Sequence, residues 1–180
     1  MIDLIGKMFI MFIVFEVLML TNIYEIFEEI SWFKTFTKQE KKIIKEQFYN
    51  FPDKKYLNLS TFQFDLYEYK ECEDYQFLIN RLFNKVVNRY ENFKYEGITC
   101  LKKNKLELFV NGKKHKKSFR VNGSRFDIEN LLDFLNDILK KNNIPENFFL
   151  LDSGSDIQYP ILIAPDILEE AKKRNIVSVL

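Results

Sequence analysis

The sequence predicts one α+β domain spanning 1–180, a mixed or antiparallel sheet with a strand meander and hairpins, packed by four to five helices. Three observations carry that prediction. Apolar residues recur at helical spacing in separate stretches, the fullest being Ile128, Leu131, Leu132, Leu135, Ile138 and Leu139. Short alternating runs are joined by turn-forming residues, among them Asn111-Gly112 and Asp152-Ser153-Gly154-Ser155-Asp156. Finally, 180 residues with no internal repeat, low-complexity tract or long linker is the length of a single domain.

The elements follow in chain order. Val17, Leu18, Thr21, Tyr24, Phe27 and Ile30 keep helical spacing, with Glu25, Glu28 and Glu29 opposite, which predicts a helix ending near Phe33. Thr37 with Glu40 three residues later is a capping box and opens a helix to Tyr49, closed before Pro52. Alternation from Tyr56 to Tyr69 predicts a strand kinked at Ser60 and Thr61, and Asp74 is placed to cap a helix over Tyr75 to Phe93. The meander comes next, with strands at Ile98 to Leu101, Leu106 to Val110 and Lys113 to Val121. A second Asn-Gly pair, Asn122-Gly123, leads to Asp127, which caps the helix Ile128 to Lys141. Phe148 to Leu151 and Gln158 to Ala164 form a hairpin, and Pro165 opens a last helix whose end carries Lys172, Lys173 and Arg174.

Composition narrows the class. The chain holds 19 Phe and 9 Tyr against 5 Gly and 4 Pro, a ring-rich, sparsely punctuated sequence that describes a folded core and not a disordered tail. Cys72 and Cys100 lack metal-ligand spacing and are too few for a secreted disulfide scaffold, so both are expected as small core-filling thiols in a reducing cytoplasm. The run Met8 to Leu20 is thirteen residues, short of the roughly twenty that span a bilayer. It also lacks a signal-peptide cleavage pattern. The apolar segment 1–20 is read as a core element first, with an anchor or an upstream extension as the alternative, so membrane association is not expected.

The net charge of +1 conceals a dipole. Nine basic residues and one acid, Glu107, fall between Lys102 and Arg125, so that stretch carries +8 and the rest of the chain −7. Residues 126–180 carry −5. Such segregation steers charged partners.

No catalytic kit is visible. The single histidine, His115, sits inside Lys113-Lys114-His115-Lys116-Lys117, where positive neighbours disfavour its protonation and no carboxylate orients it. There is no glycine-rich phosphate loop and no zinc-ligand spacing, so neither a cofactor nor a metal is expected. The basic stretch could grip phosphate through Lys113, Lys114, Lys116, Lys117 and Arg120, or meet an acidic partner. Alternation divides these lysines between two faces, however, and an edge strand guarded against aggregation accounts for the same pattern. Asp152, Ser153, Gly154, Ser155 and Asp156 have the oxygen spacing that begins a calcium loop but lack the later acidic ligand, so a turn is expected. With Gln158 and Tyr159 this turn offers carboxylates, hydroxyls and a ring, the mixture that recognises a basic protein partner.

The segment Phe148 to Leu180, a strand, an Asp-Ser-Gly turn, a second strand and a short helix, resembles the C-terminal ends of small bacterial immunity proteins of contact-dependent and other polymorphic toxin systems. The resemblance covers about a fifth of the chain. It implies a non-enzymatic cytoplasmic protein that occludes the active site or surface of a cognate toxin, which could be a nuclease, and it is the favoured reading. Asp152, Ser153, Ser155, Asp156, Gln158 and Tyr159 are the expected contact residues. The first alternative is a nucleic-acid-binding module built on the basic hairpin 102–125; the second is an enzyme whose carboxylates are assembled only by folding.

Overall fold

The computed structural model describes residues 24–50, 59–60, 63–65, 72–102, 105–118, 127–152 and 154–179. The apolar run 8–20, the Asn122-Gly123 turn, Phe119, Arg120 and Ser153 lie outside the described residues. The fold is α+β, as the sequence predicts. Its named elements are α1 (Lys38–Asn50), β1 (Phe64–Asp65), α2 (Cys72–Arg89), β2 (Tyr95–Lys102), β3 (Lys105–Val110), β4 (Lys113–Ser118), α3 (Ile128–Lys141), β5 (Asn147–Leu151), β6 (Ile157–Ile163) and α4 (Pro165–Lys173). A further helical stretch covers residues 24–29.

The strands form two antiparallel sheets, ordered β1-β6-β5 and β2-β3-β4. Side chains alternate across a strand, and the β5–β6 hairpin uses both of its faces. Phe148, Leu150 and Leu162 enter one apolar cluster together with α2, α3 and the inner residues Leu106, Leu108 and Val110 of β3. Leu151, Ile161 and Ile163 enter a second cluster with Phe27, Trp32, Phe33, Ile44 and Phe48, and with Leu168 and Ala171 of α4. The hairpin is therefore the central wall of the described domain. This explains its nearly continuous apolar run, since a strand covered on both sides has no solvent face to keep polar.

Local chemistry sets the helix ends. Glu40 accepts the Thr37 N–H at 2.7 Å while Thr37 Oγ1 accepts the Glu40 N–H at 3.2 Å, the reciprocal capping box expected from the sequence. Asp127 caps α3 by accepting the Asn130 N–H at 3.2 Å. Pro165 occupies the start of α4. Three C-termini share one device: the N–H of Trp32, Ile144 and Ile176 reaches back to Phe27 O, Leu139 O and Ala171 O, with Ser31, Asn143 and Asn175 at φ of 61°, 59° and 55° just before them. That is the Schellman arrangement, and in this glycine-poor chain asparagine and serine take the left-handed position. Each closing residue is apolar and packs into a core; the Phe27 and Trp32 rings meet edge to face at 5.0 Å.

Four expectations change. Leu59 and Ser60 are helical, so the strand read over Tyr56 to Tyr69 reduces, among the described residues, to Phe64 and Asp65. The first helix ends at residue 29, before Ser31, instead of near Phe33. Helix α2 begins at Cys72 and ends at Arg89, which puts Asp74 inside its first turn, where a carboxylate still suits the helix dipole. Strand β2 starts at Tyr95, because Tyr95 pairs with Val110 and a bulge at Gly97 (φ 135°) absorbs the register shift.

Candidate functional site

The β5–β6 turn is built from its own polar groups. Asp152 Oδ1 accepts the Gly154 N–H at 2.8 Å, Ser155 Oγ accepts the Ile157 N–H at 3.3 Å, and Gln158 Nε2 donates to Ser155 O at 3.2 Å. The Asp152 N–H donates to Ser178 O at 2.9 Å, and Ser178 Oγ donates to Asp152 O at 3.2 Å, which ties the turn to the chain after α4. Gly154, Ser155 and Asp156 are exposed and Asp152 is half-buried. Gln158 is not on that surface: it is 3% exposed. Tyr159 packs against the second cluster. The described part of the proposed contact set thus separates into the exposed Ser155 and Asp156, the half-buried Asp152 beside them, and Gln158 and Tyr159, of which Gln158 is bonded to Ser155 O and Tyr159 is packed on the second cluster. The two residues alternate along β6, and Gln158 is buried while Tyr159 is half-buried.

The basic hairpin is partly neutralised by the one acid within it. Glu107 stands opposite Lys116 in the β3–β4 register, and its carboxylate takes Lys114 Nζ at 3.0 Å and Lys116 Nζ at 3.1 Å. Lys114 also lies over the Phe109 ring at 5.2 Å. The hydrogen bond from Lys114, ahead of an opposing burial penalty and the bond from Lys116, holds the Glu107 carboxyl below the usual carboxylate range. Lys113 is exposed, and Lys117, the cross-strand partner of Leu106 and so on the same face, is half-buried. His115 shares that face; burial first, then Lys141 and Lys113, lowers its pKa, and its Nε2 has no hydrogen-bond partner among the described residues. Strand β4 is an edge strand. Lysines along an edge, two of them occupied by Glu107, fit protection of that edge.

A third constellation has no counterpart in the sequence reading. Arg89, at the end of α2, has a side chain 2% exposed and donates to Glu146 Oε1 at 3.0 Å, to Leu162 O at 2.9 Å and to Glu40 Oε1 at 3.2 Å. Its guanidinium lies 3.8 Å from the Phe36 ring centre. Glu146, 0% exposed, also accepts Tyr90 Oη at 2.9 Å and Thr35 Oγ1 at 2.5 Å. Burial, followed by the Glu146 charge, pushes the Tyr90 hydroxyl upward. Lys85 donates to Ser60 O, and burial, reinforced by Arg89, pushes its ammonium down to about 7. Ser60 Oγ donates to Pro160 O at 2.6 Å. These groups bind α1, α2, β6 and the segment before β5 where the two apolar clusters meet. With Arg89 and Glu146 withdrawn from solvent, the arrangement joins elements; it does not open to a substrate.

A groove of about 570 Å³ lies between α3 and β5, lined by Asp133, Asn136, Asp137, Lys140, Asn147 and Phe149 among others. Asn136 spans it, donating to Phe148 O at 3.0 Å and accepting the Phe148 N–H at 2.7 Å. Its carboxamide stands in for a neighbouring strand on the open side of β5. Among the described residues no group of three or more His, Cys, Asp or Glu side chains could hold a metal ion, and no helix is long and apolar enough to cross a membrane. Cys100 is disulfide-bonded, which corrects the expectation of two core-filling thiols.

No family model, curated protein or solved structure matches this chain.

Proposed function

We propose that the protein is a binding protein that neutralises a cognate protein toxin by occluding it, with Asp152, Ser155 and Asp156 on the contact surface. The observation that supports this reading is the bonding of Asp152 and Ser155 at the end of the central hairpin: Asp152 Oδ1 accepts the Gly154 N–H, Ser155 Oγ accepts the Ile157 N–H, and Ser178 Oγ donates to Asp152 O. A preformed polar turn loses little entropy on binding, so its contacts translate into affinity. Negative charge there favours a basic partner, the character expected of a protein that handles nucleic acid. The nucleic-acid alternative draws less support, because Glu107 already engages two of the lysines on which it depends.

The test co-expresses the chain with the product of the adjacent upstream gene and measures growth, then association kinetics of the purified pair. Rescue of growth is expected, with association slowed and its salt dependence flattened by Asp152→Asn with Asp156→Asn. Asparagine keeps a carbonyl to accept the Gly154 N–H, so the variant should melt with the wild type. No rescue and no complex would end the toxin reading. A complex with unchanged kinetics in the double variant would place the interface elsewhere.

A further inference from the structure

We infer that the groove between α3 and β5 is a receptor for one arginine side chain of the partner, whose guanidinium it takes between the carboxylates of Asp133 and Asp137 and the ring of Phe149. The partner's basic character rests on the toxin reading above; the preference for a guanidinium follows from the lining of the groove.

The groove encloses about 570 Å³, within the roughly 300–1,000 Å³ of sites that take a small ligand, so it has room for a long side chain. Helix α3 supplies Asp133, Asn136, Asp137 and Lys140, and β5 supplies Asn147 and Phe149. Asp133 and Asp137 are four residues apart, so consecutive turns of one helix face carry them, with about 5–6 Å between Cβ atoms. A guanidinium presents five N–H donors in a planar fork and can meet two carboxylates at once, whereas an ammonium is a compact point charge. Among the described residues the side chains of Asp133, Asp137 and Asn147 have no hydrogen-bond or ion-pair partner. Glu40, Glu107 and Glu146, by contrast, each hold a cation of this chain. Two carboxylates against the one ammonium of Lys140 leave the groove at −1. An apolar occupant would strip water from these carboxylates and amides and return nothing.

The groove exists before anything enters it. Asn136 bonds both the N–H and the carbonyl of Phe148, which fixes α3 against β5 and sets the width between them. Little ordering is then left to oppose binding. Phe149 is half-buried beside that lock. Stacking of a cation on a ring is already used twice in this chain, by Arg89 at 3.8 Å from the Phe36 ring centre and by Lys114 at 5.2 Å from that of Phe109. Phe149 precedes Asp152 by three residues, about 10 Å along an extended strand. A contact of ordinary size, about 800 Å² on each partner, therefore covers the groove together with the 152–156 turn.

Titration of isotope-labelled full-length protein with N-acetylarginine amide, followed by NMR shifts, tests the groove without any toxin. Saturable shifts are expected at the Asn136 and Asn147 carboxamides and at the Phe149 amide. N-acetylcitrulline amide, which keeps the shape and lacks the charge, should leave them nearly unmoved, and N-acetyllysine amide should bind more weakly than the arginine probe. Asp133→Asn with Asp137→Asn should weaken the arginine probe roughly two- to thirtyfold, and Lys140→Gln should tighten it up to about fivefold. All three positions are exposed, so both variants should melt with the wild type. No saturable shift at these groups, an equal response to the citrulline probe, a lysine probe that binds as tightly, or indifference to Asp133→Asn with Asp137→Asn would overturn the arginine receptor. Failure of the co-expression test would remove the toxin and leave the groove to this titration alone. A toxin complex that forms as tightly with Asp133→Asn and Asp137→Asn as with the wild type would remove the groove from the interface and leave the toxin reading standing.

Discussion

Replacing Glu146 by Ala should be among the most damaging single substitutions in the chain. The side chain is 0% exposed and takes three donors, Arg89 Nη1 at 3.0 Å, Tyr90 Oη at 2.9 Å and Thr35 Oγ1 at 2.5 Å. Truncation leaves a guanidinium that is 2% exposed short of a counter-ion, and removing one partner of a buried pair costs about 3–5 kcal/mol. Arg89 keeps Leu162 O and the partly exposed carboxylate of Glu40, which places the expected loss near the lower end, about 3 kcal/mol. At about 2–4 °C per kcal/mol for a chain of this length, the melting temperature falls by about 6–12 °C. Urea unfolding supplies the free energy, and two variants calibrate it. Tyr90→Phe deletes one hydrogen bond to a charged group and should cost about 1.5–3 kcal/mol. Lys172→Ala removes the surface pair with Glu169 and should change stability by less than about 1 kcal/mol. In an Arg89→Met background, Glu146→Ala should cost clearly less than it does alone, because the unpaired cation is gone. A loss below about 1 kcal/mol for Glu146→Ala in the wild-type background would refute the idea that this cluster joins the two cores.

Further expectations rest on other elements. Lys85 has a folded-state pKa pushed down to about 7 from its ordinary 10.5, so between those values the unfolded chain binds more protons; stability should rise with pH from about 7 to 9, and Lys85→Met should flatten that rise in urea titrations across the range. Asn136→Ala uncovers Phe148 N–H and O on the open side of β5 and should cost about 1–3 kcal/mol, with increased self-association by analytical ultracentrifugation. Ser31→Gly relieves a left-handed residue at φ 61° and should raise stability by about 0.5–1 kcal/mol in the same unfolding assay, provided residue 31 keeps its place in the helix terminus.

The elements governed by short-range chemistry were legible in the sequence. The Thr37–Glu40 box, the Asp127 cap, the Asn111-Gly112 turn with φ of 49° and 70°, and the limits of α3 depend on residues at most a few positions apart, so spacing alone carries them. The lysine alternation of β4 was legible for the same reason. Its pairing with Glu107 was not, because register across strands decides which charge meets which.

Tertiary structure decided the rest. Arg89 meets Glu146 across 57 positions and Thr35 meets Glu146 across 111, separations at which sequence pattern carries no signal. Leu59 and Ser60 sit in an alternating run yet are helical, and Ser60 instead binds Pro160 across 100 positions. Gln158 and Tyr159 look like surface residues beside a polar turn, yet Gln158 is buried and Tyr159 packs against the second cluster. Periodicity states which side of an element is apolar. Which other element covers that side, and so which polar groups lose their water and must find one another, is settled only when the chain packs.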